Sequence, residues 1–322
     1  MRNRRLQLTG LLAAIALGLL ACGDDSTGEA APPADDRPLI VATTSILGDV
    51  VSTLVGDEAE VEVVMPLGAD PHDFEPSAQQ AARLRDASLV VANGLGLEVG
   101  LDSTLDAAMS DGVTVLEVGE LIDPLPFTAA DHDEADHDEA DHDHGAMDPH
   151  FWHDPIRMAE AVPGVVDAIS DATGLDPAGL EERADALVAD LAAVDDEVAT
   201  ILSVVPPERR VLVTNHDNLG YLAARYDFEV IGVIVQGGDS LASASPGDIG
   251  GLVHQIEEQQ VPAVFAENVL APTLSEALAD EAAGEVEVVS LYTDSLGDPG
   301  SGAETYTGLL VTNAELIAEA LG

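Results

Sequence analysis

Basic residues are scarce in this sequence: its 322 residues include no lysine and only 11 arginines, against 61 aspartates and glutamates. The formal net charge of −50 excludes nucleic acid as a natural partner, because phosphate binding requires a basic surface. It also makes an anionic membrane surface unattractive to the folded body. An acidic surface suits cations, but selection for solubility in a salty medium or compositional bias produces the same charge, so charge alone names no ligand.

Several binding and catalytic signatures are also missing. Aromatic residues make up only 3% of the chain, which argues against a surface that stacks sugars or single-stranded bases. The sequence contains no GxxxxGK[ST] phosphate loop, which argues against a P-loop ATPase. It also contains no HExxH signature of a metallohydrolase.

The chain has a single cysteine, Cys22, which has no second cysteine to pair with. Before it, three arginines precede an apolar run over residues 6–21, which has the length of a signal-peptide core and is short for a membrane-spanning helix. Cys22 lies in a Leu-x-Ala-Cys-Gly segment that resembles a bacterial lipobox. We therefore expect a lipoprotein signal peptide over 1–21, a solvated tether over 22–38, and an extracytoplasmic body anchored to the cell membrane by lipid on Cys22.

Short β-branched runs alternate with helical stretches in two regions of the body. This alternation predicts two similar parallel α/β lobes, an N-terminal lobe over 39–175 and a C-terminal lobe over 206–322. The predicted strands span residues 39–43, 61–64, 89–92, 113–116, 210–214, 229–235, 262–266 and 286–291.

A long helix is predicted between the lobes, over residues 176–205. A helix of this size spans ~40 Å, enough to reach across two lobes. Its apolar stripe could instead form a coiled-coil dimer, but the charged residues on its other faces follow no ordered e/g scheme. We therefore favour an intrachain strut in a monomer. The stripe consists of Leu180, Leu187, Leu191, Val194, Val198, Ile201 and Leu202.

A low-complexity insert over 123–147 interrupts the N-terminal lobe, and residues 131–144 read DHDEADHDEADHDH. Apart from two alanines, this segment has no apolar residues, so no core can form from it. In a helix, a spacing of five advances each histidine by ~140°, so they would not share one face. We expect a flexible, weak accessory metal-binding loop instead of a fixed site. Its histidines are His132, His137, His142 and His144.

Four segments that follow predicted strands carry side chains typical of metal sites. Parallel α/β sheets bind their ligands at these strand ends. Taken singly, each histidine or aspartate is more often a helix cap or a hydrogen-bonded surface group. The segments are DPHDFEP at 70–76, DPHFWHDP at 148–155, TNHDNLGY at 214–221 and YTDSLG at 292–297.

Together with the acidic insert and the long helix, these segments resemble, in the same order, the zinc- and manganese-type solute-binding lipoproteins of ABC transporters, the ZnuA/TroA-like or cluster A-I family. The resemblance covers nearly the whole mature chain. It implies two α/β lobes joined by one long backbone helix, with a metal site in the cleft between the lobes. It also implies a non-enzymatic receptor whose partners are a membrane permease and an ATPase.

The resemblance further implies that His72, His150, His216 and Asp294 bind the metal, two from each lobe. Three imidazoles and one carboxylate form a four-ligand set that suits Zn²⁺. Manganese-type relatives commonly present a carboxylate at the position of His216, so we expect Zn²⁺ in preference to Mn²⁺. An Mn²⁺-preferring receptor is the alternative within the family.

Two further residues have open roles. His153 occupies a position where relatives commonly carry an aliphatic residue, and is either an auxiliary ligand or an exposed side chain at a helix start; we expect it to be exposed. Glu267 ends a predicted strand and either hydrogen-bonds a ligand imidazole or caps the helix that follows.

Two other classes of function compete with the receptor. A metallohydrolase would use Glu267 as a base, but four protein ligands leave no open position for an activated water. A surface adhesin or metal-scavenging lipoprotein would do most of its binding in the insert. A scavenger holds several ions weakly, whereas a receptor holds one tightly.

Overall fold

The computed structural model describes residues 37–127, 147–235, 246–270, 273–282 and 286–322. The predicted signal peptide, Cys22 and the histidines of the insert lie outside the described residues. Within the described part, none of the helices combines the length and the apolar composition needed to cross a membrane.

The N-terminal lobe is built on a parallel sheet with the strand order β2-β1-β3-β4. Its central strands, LIVA and LVVA, are buried throughout, as expected for strands covered by helices on both faces. The strands are β1 (Leu39–Ala42), β2 (Glu60–Val63), β3 (Leu89–Ala92) and β4 (Thr114–Glu117), and the helices of this region are α1 (Ser45–Val55), α2 (Ala78–Asp86), α3 (Asp102–Ser110) and α4 (Pro155–Thr173).

The C-terminal lobe repeats this topology after the long helix α5 (Pro177–Leu202), with the strand order β6-β5-β7-β8. All predicted strands are present, with ends shifted by no more than two residues. The strands are β5 (Val211–His216), β6 (Glu229–Val235), β7 (Ala263–Glu267) and β8 (Glu287–Leu291), and the helices are α6 (Gly220–Tyr226), α7 (Pro246–Gln259), α8 (Thr273–Glu281) and α9 (Tyr306–Leu321).

Both sheets reverse their strand order beside the first strand, so each has a crevice at its carboxyl edge. Local capping directs the chain from these edges into the helices. Ser77 forms a capping box with Gln80 at the start of α2, directly after the first predicted metal segment. Gly100 allows that segment to pack closely, because a Cβ there would lie 2.3 Å from the backbone oxygen of Phe74.

Helix α5 packs against α1, α4 and α9 within the same chain, as an intrachain strut requires. Most of its predicted stripe is buried, and Val194 and Ile201 are partly buried. Burying one leucine fully contributes about 1.5–3 kcal/mol, so the stripe is a major source of cohesion. The fully or almost fully buried members are Leu180, Leu187, Leu191, Val198 and Leu202.

Two arginines attach α5 to the lobes. Arg183 donates to the backbone oxygen of Leu54 at the end of α1 and lies 2.6 Å from Glu58. Arg225 of α6 donates through Nε to Oδ1 of Asp195, 2.8 Å away. These contacts connect the strut to α1 in the N-terminal lobe and to α6 in the C-terminal lobe. They use two of the only 11 basic residues of the chain.

Candidate metal centre

Four potential metal ligands come from the carboxyl edges of the two sheets. His72 lies between β2 and α2, and His150 lies in the segment before α4. His216 is the last residue of β5, and Asp294 follows β8. The structure thus brings together the four side chains that the sequence analysis names as metal ligands, although they are far apart in sequence.

The four side chains point one atom each at a common centre. The Nε2 atom of His150 lies 3.2 Å from Nε2 of His72, 3.3 Å from Nε2 of His216, and 3.9 Å from Oδ1 of Asp294. One ligand atom from each side chain lies within 4.8 Å of all the others. Tetrahedral Zn²⁺ with bonds of ~2.0–2.2 Å places its ligand atoms ~3.3–3.6 Å apart, so the cluster is close to the size of such a site.

The two Asp-Pro-His motifs build the same local turn. In each, the aspartate Oδ1 accepts a hydrogen bond from the backbone N–H of the histidine two residues later: Asp70 from His72 and Asp148 from His150, both at 2.9 Å. The proline between them restricts φ, and the aspartate closes the turn. This turn orients the histidine backbone before any metal contact is made.

Buried carboxylates orient two of the imidazoles. Nδ1 of His150 donates to Oδ1 of Asp148 at 2.7 Å, and Nδ1 of His216 is hydrogen-bonded to Oε1 of Glu267. With Nδ1 occupied, each ring presents Nε2 to the centre, which is the usual arrangement of metal-binding histidines.

Asp294 presents one free oxygen to the same centre. Its Oδ2 atom accepts a hydrogen bond from the Thr293 hydroxyl at 2.6 Å. Its Oδ1 atom is buried and has no hydrogen-bond partner among the described residues. A buried carboxylate oxygen without such a partner is costly unless a cation compensates it.

The protonation states of the cluster are strongly perturbed. Burial, followed by the neighbouring imidazoles of His216 and His72, lowers the pKa of His150 well below 6.5. Burial would also lower the pKa of His216, but the Glu267 carboxylate outweighs it and raises that pKa to about 9. Burial and Glu267 raise the pKa of Asp294 to about 7. His150 is therefore neutral, while His216 carries a proton that a metal ion bound there would have to displace.

Three buried acids, Asp148, Glu267 and Asp294, surround the imidazoles. Burial raises the pKa of Asp148 well above 3.8, because the site disfavours its ionised carboxylate. A bound divalent cation would neutralise the negative charge of such carboxylates. These four side chains would fill a four-coordinate sphere, which is the pattern of sites that hold a metal, not of sites that activate water.

The expectation that His153 is exposed is wrong. Its side chain is completely buried, and its ring lies 5.7 Å from that of Trp152, centroid to centroid. A short 3₁₀ turn directs it inward, and the next residue, Asp154, caps α4 instead. Burial and the nearby His216 lower the pKa of His153 to about 3, and neither ring nitrogen has a hydrogen-bond partner among the described residues. His153 is not one of the four converging side chains.

Glu267 is expected either to hydrogen-bond an imidazole or to cap a helix. In the structure it hydrogen-bonds the imidazole of His216. Sequence reasoning missed the corresponding role of Asp148, although the repeated Asp-Pro-His motif was a usable signal. The four histidines of the insert fall within residues 128–146, outside the described part.

The chain is similar over almost its whole length to two characterised relatives. It is 30% identical over 319 residues to the manganese-binding lipoprotein MntA of Halalkalibacterium halodurans, covering 97% of each chain. It is also 30% identical over 311 residues to the zinc-binding protein TroA of Treponema pallidum, covering 95% of this chain and 96% of TroA.

Its fold is similar to that of a solved zinc-binding protein. The structure of the periplasmic zinc-binding protein TroA from Treponema pallidum matches with a TM-score of 0.78 and 29% identity, covering 89% of this chain and 99% of that one. A family model described as zinc-uptake complex component A, periplasmic, matches residues 40–320. The chain therefore belongs to the ZnuA family of metal-binding, substrate-binding proteins of ABC transporters, which are receptors and not enzymes.

Proposed function

We propose that this receptor captures Zn²⁺ outside the cytoplasm and delivers it to a membrane permease driven by a separate ATPase. The metal is bound by His72, His150, His216 and Asp294. The observation that carries the proposal is the convergence of three imidazole Nε2 atoms and one carboxylate oxygen, all within 4.8 Å of one another.

The composition of this ligand set supports zinc over manganese. Mn²⁺ is lowest in the divalent affinity order and prefers oxygen-rich, higher-coordination sites, whereas a four-coordinate set of three nitrogens and one oxygen suits Zn²⁺. The imidazole of His216 supplies the third nitrogen. Since one similar relative is named for manganese and another for zinc, the preference of this chain depends on its own side chains.

Competition titrations on the wild type and on His216→Glu test the metal preference. We expect the wild type to bind Zn²⁺ more tightly than Mn²⁺. His216→Glu should weaken Zn²⁺ binding and reduce the difference between the Zn²⁺ and Mn²⁺ affinities. A matched control is His254→Glu, which makes the same change at a side chain that is 69% exposed on α7. A wild type that prefers Mn²⁺, or an unchanged ratio in His216→Glu, would contradict the assignment.

The proposal includes the membrane anchor. Residues 1–21 are removed as a signal peptide, lipid is attached to Cys22, and residues 22–38 tether the body. The lipobox-like sequence and the similarity to MntA, a relative that is named a lipoprotein, support this. In membrane fractionation, we expect Cys22→Ala to move the protein from the membrane to the soluble fraction, and Cys22→Ala that stays bound would contradict the anchor.

The receptor acts as a monomer in this proposal. The apolar stripe of α5 is covered by helices of the same chain, which leaves it unavailable for a coiled-coil partner. Sedimentation equilibrium of the mature protein should give the mass of one chain, and a stable dimer would contradict this part.

A further inference from the structure

Trp152 is the only tryptophan of the chain, and it lies beside the candidate metal centre with 2% of its surface exposed. Its ring stands nearly perpendicular to that of His150, at 71°, with the centroids 5.3 Å apart. Its indole Nε1–H donates a hydrogen bond to the backbone oxygen of Thr293 at 2.6 Å. This bond joins residues 141 positions apart in sequence.

Thr293 is in direct contact with Asp294 in two ways. It is the preceding residue, so the carbonyl that accepts from Trp152 belongs to the peptide that leads into Asp294. Its hydroxyl also donates to Oδ2 of Asp294 at 2.6 Å. On the other side, the backbone N–H of Thr293 donates to Oδ1 of Asn268 at 3.2 Å.

These contacts restrict how Asp294 can turn. The indole holds the peptide, the threonine hydroxyl holds one carboxylate oxygen, and Oδ1 is left directed at the imidazoles, 3.9 Å from Nε2 of His150. A ligand is held in productive geometry only when its neighbours also limit its orientation. The segment that supplies His150 therefore also contacts the segment that supplies Asp294.

We propose that Trp152 is a positioning residue that sets the Asp294 carboxylate for metal binding through its hydrogen bond to the Thr293 carbonyl. This hydrogen bond couples the position of the His150 segment in one lobe to the position of the Asp294 segment in the other. The inference rests on the proposed function, because it takes Asp294 as a ligand.

A double-mutant cycle on the full mature protein tests the inference. Zn²⁺ dissociation constants are measured by chelator competition for the wild type, Trp152→Phe, Asp294→Ala and the double variant. Phenylalanine retains an aromatic ring but cannot donate to the carbonyl. We expect Trp152→Phe to weaken Zn²⁺ binding about tenfold, and to have little further effect once Asp294 is alanine, because the two act through the same ligand.

A matched control is Tyr306→Phe. The Tyr306 hydroxyl donates to the backbone oxygen of Trp152 at 2.6 Å and is equally buried, so its hydrogen bond goes to Trp152 and not to Thr293. Deleting it removes a buried hydrogen bond to the Trp152 backbone and leaves the indole N–H and its acceptor, the Thr293 oxygen, unchanged. We expect its effect on affinity, whatever its size, to be the same in the wild-type and Asp294→Ala backgrounds.

The outcomes distinguish this inference from the proposed function. Equal weakening by Trp152→Phe in both backgrounds would show that the indole only packs, and would overturn the inference while leaving Asp294 a ligand. An Asp294→Ala variant with wild-type affinity would overturn the ligand set and the inference with it. If Trp152→Phe fails to fold, Trp152 is replaced by 3-benzothienylalanine and measured in the same cycle; this residue keeps the bicyclic ring shape and has a sulfur atom, which cannot donate, in place of the N–H.

Discussion

Nδ1 of His216 is hydrogen-bonded to Oε1 of Glu267, and both side chains are almost completely buried. Burial opposes a charged imidazole, but the carboxylate outweighs it and raises the pKa of His216 to about 9. The metal-free protein therefore holds a proton on His216 at neutral pH. Because metals bind the deprotonated imidazole, metal capture at this site must release that proton.

Proton release is the first prediction. At pH 8, below the His216 pKa of about 9 and above the Asp294 pKa of about 7, we expect Zn²⁺ binding to release about one proton. The apparent affinity should rise as the pH rises from 7 to 9, because proton competition at His216 is lost. Calorimetry in buffers of different ionisation enthalpy measures the proton count.

Glu267→Gln is the matched variant for this experiment. It removes the anion that raises the His216 pKa while keeping the side-chain size, so proton release at pH 8 should fall towards zero. Equal proton release by the wild type and Glu267→Gln would show that the carboxylate does not control the protonation of His216.

The second prediction concerns the ligands themselves. Replacing His72, His150 or His216 by alanine should abolish tight Zn²⁺ binding, because each supplies one of the converging nitrogens. His254→Ala removes an exposed imidazole on α7 and is the control that should bind like the wild type. Titration calorimetry of each variant measures the effect, and tight binding retained by His216→Ala would contradict the ligand set.

The third prediction concerns His153, which is completely buried with both ring nitrogens lacking a hydrogen-bond partner among the described residues. A buried polar group without a partner costs about 1–3 kcal/mol. His153→Leu removes both nitrogens at similar volume, so we expect the metal-free protein to gain about 1–2 kcal/mol in free energy of unfolding. Denaturant titration measures this gain.

The same variant tests whether His153 contributes to metal binding. Because His153 is not one of the four converging side chains, His153→Leu should bind Zn²⁺ with wild-type affinity. A clear loss of affinity would mean that His153 serves as an auxiliary ligand when the metal is present.

The sequence predicts the strands well because they depend on local signals, whereas the four candidate ligands are named through a family resemblance. β-branched runs specify the strands, and the Asp-Pro-His turn at His72 and His150 is formed within three residues. The inward turn of His153 depends on a 3₁₀ turn that no periodic pattern marks. The contact between Trp152 and Thr293 joins two lobes, and only the folded structure can reveal it.

The fourth prediction concerns residues 131–144, which lie outside the described part. All four converging side chains belong to other segments, so deleting 131–144 should leave one tight Zn²⁺ site. The repeated Asp and His side chains of the segment should contribute only weak sites, as the sequence analysis expects of a low-complexity insert. Metal stoichiometry and affinity of the deletion variant measure both effects, and a variant that binds no Zn²⁺ would make the insert part of the site.

The last prediction links metal binding to stability. Only the folded chain assembles ligands from both lobes, so Zn²⁺ at ~1,000 times its Kd should stabilise it by about 4 kcal/mol and raise the melting temperature. The gain should shrink as the pH falls, because protons compete for imidazoles whose ordinary pKa is ~6.5 and compete most strongly at His216, whose pKa is about 9. Scanning calorimetry with and without Zn²⁺ at pH 8, 6 and 4 measures this trend, and His150→Ala should show little gain at any pH. A metal-induced gain that stays constant down to pH 4 would indicate a site built from carboxylates alone. That result would contradict the three imidazole ligands.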